Sequence, residues 1–340
     1  MKFANLKKCF IIAEVSANHG QSLTRALAMI RKAAACGADA VKFQTYTPDT
    51  LTLDCDKPCF RIKHPKWGGQ TLHQLYRKAY TPWKWFAKLK RAADDEGLIF
   101  LSTVFDRSSV DLLEDLGVVA HKIASFELVD TPLIEYAAAT GKPLILSTGM
   151  ASEAEIARAV KTALGAGAAE VALLKCVSSY PAPAAEMNLR TIASLAGKFK
   201  CPVGLSDHTL GTSVSVAAVA MGARIIEKHF TLSRTIETPD TFFSIEPDEL
   251  QALVESVRLI EQALGSAELG PTPCERASMV FRRSLFAVAD IAKGERFTSD
   301  NVRSIRPAGG LEPRHLKKVL GKKSIRRIAR GTPLRWDMIG

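Results

Sequence analysis

Pro202-Val-Gly-Leu-Ser-Asp-His208 and Arg224-Ile-Ile-Glu-Lys-His-Phe230 are two apolar runs that close on histidines, with a helical pattern at residues 212–221 between them. Strand, helix and strand in that order form a parallel pair with a right-handed crossover. The same unit recurs upstream. Eight short apolar runs occupy residues 10–15, 40–45, 98–102, 119–124, 143–147, 171–177, 202–206 and 224–230, and helical patterns alternate with them. At or just past their C-terminal ends stand Glu14; Lys42 and Gln44; Ser102 and Thr103; Lys122, Ser125 and Glu127; Ser147; Ser178 and Tyr180; Ser206, Asp207 and His208; and His229. In a (β/α)8 barrel all eight strand ends open on one face, and that face carries the chemistry. The expected fold class is therefore α/β, a TIM barrel, in which residues spread over 215 positions meet in one pocket. Such a chain is an enzyme.

Length and composition set the remaining bounds. A chain of 340 residues suits one barrel of roughly 250 residues and a small appended domain. Hydrophobic residues at 47% and charged residues at 24% exclude a disordered chain. No run approaches the roughly 20 apolar residues of a membrane span. Residues 1–8 lead into a strand rather than a signal peptide, so the expected location is the cytoplasm. Seven scattered cysteines read as free thiols in a reducing compartment. Cys55 and Cys59, followed by His64, lack the spacing and the fourth ligand of a zinc site. The net charge of +11 is concentrated in the tail, where 15 Lys or Arg face 5 Asp or Glu from Arg282 onward. No aromatic residues are interleaved there for base stacking, which speaks against nucleic acid and leaves a solvated basic face or the rim of a site for anionic substrates.

Helical spacing covers residues 22–36, which stop at Gly37, and then 83–96, 108–116, 131–140, 152–164, 188–199, 212–221 and 247–264. One connection breaks the rhythm: residues 46–82, between the second strand and its helix, are far longer than the usual few residues. An insert on that face shapes or covers the pocket. The expected domains are a barrel at 1–265, a Gly- and Pro-rich linker within 266–282, and a small β-rich unit at 283–340.

His208 and His229 end the seventh and eighth strands, neighbours in a barrel, with Glu14 and Glu127 at other strand ends. Two imidazoles so placed suit a divalent metal such as Mn²⁺. Along the eighth strand Glu227 and His229 share a face, and Lys228 points the other way. Lys42 and Lys122, with the hydroxyls of Thr103, Ser125, Ser147 and Ser206, can bind a phosphate or carboxylate; the competing reading is an internal ion pair to Glu14 or Glu127. Two enzyme classes fit. A Schiff-base aldolase would use Lys42, Lys122 or Lys175 as the nucleophile, and a metal-assisted condensation would use the histidines to polarise a carbonyl. A barrel that merely displays its basic tail as a binding module is disfavoured by the polar strand ends.

Six segments carry a family resemblance: Ile12-Ala-Glu-Val-Ser-Ala-Asn-His19, Gly37-Ala-Asp-Ala-Val-Lys-Phe-Gln44, Lys122-Ile-Ala-Ser-Phe-Glu127, Leu146-Ser-Thr-Gly-Met150, Gly204-Leu-Ser-Asp-His-Thr209 and Ile226-Glu-Lys-His-Phe230. They resemble the sialic acid synthase family, and residues 283–339 resemble the antifreeze-like (SAF) domain that follows the barrel in it. Gln44-Thr-Tyr-Thr-Pro-Asp-Thr-Leu-Thr-Leu53 and Thr81-Pro-Trp-Lys-Trp85 are most similar to the branch that makes pseudaminic acid; the alternatives are the N-acetylneuraminate and legionaminic acid branches. The resemblance implies condensation of phosphoenolpyruvate with an acylamino sugar. It implies that Lys42, Thr103, Lys122, Ser125, Ser147, Ser178 and Ser206 hold phosphoenolpyruvate, and that His208 and His229 bind Mn²⁺, or Mg²⁺ or Co²⁺ in its place. Gln44, Tyr180 and Asp240 would contact the sugar, Glu127 would orient or deprotonate water, and Glu14 would support that network. It further implies a homodimer with swapped C-terminal domains, in which Arg306 reaches the sugar bound by the other subunit. The chain departs from the family at Gly20-Gln21, Val104 and Ser178, the last of which stands where the sialic acid branch has Asn.

Overall fold

All eight apolar runs form strands. In the computed structural model, which describes residues 2–340, these are β1 (Phe10–Glu14), β2 (Ala40–Thr45), β3 (Ile99–Val104), β4 (His121–Ile123), β5 (Leu144–Ser147), β6 (Val171–Cys176), β7 (Val203–Asp207) and β8 (Ile225–His229). They pair in chain order, and β8 closes on β1 in parallel register, Ile12 beside Glu227 and Glu14 beside His229. The chain divides into two units, Met1–Gly265 and Ser266–Gly340.

Alternation along the strands assigns each residue to one side of the barrel wall. Phe10, Ile12, Ala40, Leu101, Ala120, Ile145, Ala172, Leu174 and Ile225 fill the interior, closed at the bottom by Phe3. Small alanines alternate with branched side chains, which is how the taper is filled without voids. The intervening residues, among them Ile11, Ala13, Val41, Phe43 and Leu146, pack against the helices. Two residues beyond the interior apolar layer, the same inward direction delivers Glu14, Lys42, Thr103, Lys122, Ser147, Cys176 and Glu227 to the top of the barrel.

Local signals set the helix ends. Ser22 accepts from the Arg25 amide to open the helix Leu23–Ala35, and Gly37, at φ +84°, takes the left-handed turn that ends it. Ser152 and Glu155 form a capping box on Glu153–Gly165. The helix expected from residue 188 begins at Thr191, because Asn188 adopts a left-handed φ of +45°. The long connection after β2 is partly helical, with Pro48–Leu51 and Leu72–Ala79 each opened by a capping box. Among the described residues no helix is long and apolar enough to cross a membrane.

On the helix-facing side of β7 and β8, Asp207 and Lys228 are register partners and form a buried ion pair of 2.9 Å. Ser215 Oγ donates to the same carboxylate at 2.5 Å, and Lys228 Nζ donates to the Thr209 carbonyl at 2.6 Å. Removing one member of such a pair leaves an uncompensated buried charge. Lys228→Met is therefore expected to lower the unfolding free energy by about 3–5 kcal/mol, read from urea denaturation. The double variant Lys228→Met/Asp207→Leu should recover most of it; a single variant as stable as wild type would refute the assignment.

The second unit contains an antiparallel pair, β9 (Ser284–Ala287) and β10 (Val302–Ile305), over a core of Leu285, Ile291, Phe297, Val302, Val319 and Leu334. Residues 266–282, expected as a linker, cluster with this unit and carry a short 3-10 helix, Arg276–Phe281. Ala308 N bonds to the Val280 carbonyl, which ties that segment to the unit.

Candidate active site

The inward strand ends converge on two lysines. Lys42 Nζ lies 2.8 Å from Glu14 Oε2 and 3.7 Å from Glu227 Oε2, and donates to Thr103 Oγ1 at 2.8 Å. Lys42 thus follows the internal ion-pair reading. Burial opposes its charge, but the two carboxylates outweigh burial and raise its pKa. Lys122 differs: it donates to Ser147 Oγ at 2.6 Å and to the Ile123 carbonyl at 2.9 Å, and burial lowers its pKa. Ser206 Oγ donates to Glu227 Oε1 at 3.0 Å. Burial works to raise Glu227, yet Lys122 and Lys42 hold it below the usual carboxylate range. Burial, together with the charge of Glu227, lifts Glu14 to about 7 against the opposing pull of Lys42.

A second hydroxyl group assembles beside the lysines around Gly149. Its amide donates to Ser125 Oγ at 3.1 Å. A Cβ on Gly149 would fall 2.3 Å from Ser178 Oγ and 2.8 Å from Ser125 Oγ, so only glycine lets these two serines approach each other. Glu127, two residues after Ser125, is lifted to about 7 by burial, and its Oε2 has no hydrogen-bond partner among the described residues. Of the residues at the strand ends, Ser102 and Asp207 lie on the helix-facing side of the wall, Ser102 bonded to Thr45 and Asp207 paired with Lys228, whereas the inward set meets around Lys42 and Lys122.

The histidines face each other with ring centroids 5.4 Å apart. His208 Nδ1 lies 2.9 Å from the Val177 carbonyl, an arrangement that fixes its tautomer and leaves Nε2 free. Burial, then the charges of His208, Lys42 and Lys228, push His229 well below the usual imidazole range, so it stays neutral; its Nδ1 is buried without a hydrogen-bond partner among the described residues. Among the described residues no three His, Cys, Asp or Glu side chains gather closely enough to enclose a metal by themselves. The unpartnered imidazole nitrogen fits a metal held by two histidines, with oxygen atoms of substrate or water completing the shell. Tyr180 packs on His208 at 4.3 Å, and Asp240 Oδ2 is 3.9 Å from His229 Nδ1. Burial raises Asp240 even though Ser16 and the Ala17 amide donate to it.

Two expected residues stand apart. Lys175 is half-buried beside Asn188, Arg190 and Thr191, outside the strand-end pocket, which removes it as a nucleophile. Arg306 belongs to the second unit, where it lines a cavity with Ser278, Phe281, Arg282 and Arg283. Other residues were not anticipated. Glu227 sits between both lysines, a position that its shared face with His229 hinted at. Cys176 Sγ lies 3.8 Å from His208 Nδ1. Trp67, on the long connection, stacks on His64, donates Nε1 to the Pro239 carbonyl at 2.7 Å, and rests 5.6 Å from the Tyr180 ring. Trp67 belongs to the long connection expected to shape or cover the pocket, and its partners appear only when that connection folds.

Comparison with known proteins places the chain in a family. Residues 29–269 match the NeuB family and residues 282–340 the SAF domain. The chain is 44% identical over 329 residues to the pseudaminic acid synthase of Campylobacter jejuni, covering 97% of this chain and 96% of that protein. It is 39% identical over 321 residues to the N,N'-diacetyllegionaminic acid synthase of the same organism, covering 93% and 96% respectively. The crystal structure of an N-acetylneuraminic acid synthetase from Leptospira borgpetersenii, in complex with citrate, superposes with a TM-score of 0.73 at 36% identity, over 80% of this chain and 90% of that one. With its closed barrel, lysine cluster and paired histidines, this chain belongs to the NeuB family and ends in a SAF domain.

Proposed function

We propose that this chain condenses phosphoenolpyruvate with the open-chain aldehyde of 2,4-diacetamido-2,4,6-trideoxy-L-altrose, giving pseudaminic acid and phosphate, the activity by which its C. jejuni relative is named. The observation that carries the reading is the facing pair His208 and His229 beside the Lys42 and Lys122 cluster, an electrophile site next to an anion site. Lys42, Lys122 and the hydroxyls of Thr103, Ser125, Ser147, Ser178 and Ser206 bind the phosphate and carboxylate of phosphoenolpyruvate, so the anion displaces Lys42 from its pairing with Glu14. Gln44, Tyr180 and Asp240 orient the sugar. A divalent ion, Mn²⁺ or else Mg²⁺ or Co²⁺, would be held by His208 and His229 and would supply Lewis-acid polarisation of the aldehyde oxygen.

The methylene carbon of phosphoenolpyruvate bonds to the aldehyde carbon, and positive character develops at the phosphate-bearing carbon. Water adds there with Glu127 as the base, whose pKa of about 7 suits proton transfer near neutral pH. Phosphate then leaves by carbon–oxygen cleavage. Glu14, shared between Lys42 and Gln44, holds the two substrate halves in register.

The working unit we infer is a homodimer in which the second unit of one copy covers the barrel mouth of the other and brings Arg306 to the sugar. Leu53, Phe126, Val129, Met150 and Leu210 leave an exposed apolar rim on the loops at the mouth, and Val280 and Phe281 are exposed beside Arg282 in the second unit. A cytoplasmic setting is supported by the seven cysteines, all unpaired.

Phosphate release from phosphoenolpyruvate with Mn²⁺ is the test, comparing the altrose sugar, its legionaminic-type epimer and N-acetylmannosamine. Release with the altrose sugar at the highest kcat/KM is expected. Preference for another sugar would keep the reaction and overturn the substrate. A competing reading is a Schiff base on Lys122, whose pKa burial lowers, and borohydride would trap it as a covalent adduct there.

A further inference from the structure

Ser16 is fully buried and sits at a φ of +45°, a left-handed conformation that side chains other than glycine and asparagine seldom take. A serine there stores strain that glycine would relieve. Its hydroxyl donates to Asp240 Oδ2 at 2.5 Å and accepts from Gln44 Nε2 at 2.9 Å. Gln44 Nε2 also donates to Glu14 Oε1 at 3.1 Å, and Glu14 is paired with Lys42. A carboxylate only accepts and an amide NH₂ only donates, so the joint between Gln44 and Asp240 requires a group that does both, and a hydroxyl is the smallest. The result is one continuous path from Lys42 through Glu14, Gln44 and Ser16 to Asp240, which borders His229.

We propose that Ser16 is a positioning residue for the sugar: its strained hydroxyl locks Gln44 and Asp240 into a single geometry and joins the phosphoenolpyruvate side of the pocket to the sugar side. This rests on the reading above that Gln44 and Asp240 contact the sugar. An unlocked carboxylate and amide would each sample other rotamers, and the sugar would have to order them on binding. The backbone strain at Ser16 is retained because glycine, though relaxed there, cannot make the joint.

The experiment compares Ser16→Gly, Ser16→Ala and Asp240→Asn by phosphate release and by thermal melting. Ser16→Gly should melt within a few degrees of wild type, since relief of strain offsets the lost hydrogen bonds, whereas Ser16→Ala keeps the strain and should melt lower. Both should raise the sugar KM by about tenfold, the effect of one or two buried hydrogen bonds, while the KM for phosphoenolpyruvate stays within about twofold, a bound well inside that effect. Equal loss of sugar affinity in two variants of unequal stability is what a merely structural role cannot produce. An unchanged sugar KM in Ser16→Gly, or a parallel rise in the KM for phosphoenolpyruvate, would overturn the proposal while Asp240→Asn still weakens the sugar. If Asp240→Asn leaves the sugar KM untouched, the sugar-subsite reading falls and this inference falls with it.

Discussion

His208→Ala is expected to reduce kcat/KM by about 10³-fold, the several kcal/mol that metal polarisation of a carbonyl provides. His208 is held by the Val177 carbonyl on one ring nitrogen, and the other is free to face His229. Removing it leaves one imidazole, and among the described residues no cluster of other donors can compensate. Mn²⁺ titration by electron paramagnetic resonance gives a readout independent of turnover: the variant should bind the ion at least tenfold more weakly, while phosphoenolpyruvate still protects it against thermal unfolding. Full wild-type activity in excess chelator would refute the metal assignment outright.

Glu127→Gln is expected to lower kcat by about 10²–10⁴-fold, the usual contribution of a positioned base. The pH dependence carries its signature. Burial lifts Glu127 to about 7, so below that pH it is protonated and cannot accept a proton from water. The wild-type rate should therefore fall about tenfold per unit as pH drops below 7 and level off above it. Glu14 is also lifted to about 7, so the wild-type profile alone does not identify the base. Glu14→Gln separates them: it should retain the acid limb, whereas Glu127→Gln should show a low, flat profile. A steep limb persisting in Glu127→Gln would move the base elsewhere, with Glu14 as the first alternative.

The pairing of Lys42 bears on how an anion enters. Glu14 and Glu227 beside it neutralise one of the two lysines, while Lys122 rests on a hydroxyl and a carbonyl. The lowered pKa of Lys122 follows from that difference: burial outweighs the opposing charge of Glu227, which makes no close ion pair with it. In the function proposed above, an incoming phosphate would supply the missing charge, and the ion-pair and anion-binding roles of the lysines would belong to different stages of one cycle.

The barrel is legible in the order of residues alone. Parallel barrel strands are covered on both faces, so they read as continuous apolar runs, and a polar cluster at the end of every run can only mark the open face. Strand alternation separates Glu227 and His229 from Lys228, and caps such as Ser22 and Gly37 set helix ends within a residue or two. Periodicity cannot show which polar groups meet across strands. Register and strand tilt decide that Lys42 pairs with Glu14, that Lys122 pairs with none, and that Asp207 and Lys228 lock the outer side of the strands bearing the histidines. The folding of the long connection puts Trp67 over Tyr180, and the bare backbone of Gly149 brings Ser125 to Ser178. Ser16 shows the difference most sharply: its sequence neighbours are silent, and only a backbone angle and two partners 28 and 224 residues away give it a role. Sequence encodes which face a side chain takes, because that depends on neighbours one or two residues away; what the side chain meets there depends on the closure of the whole barrel.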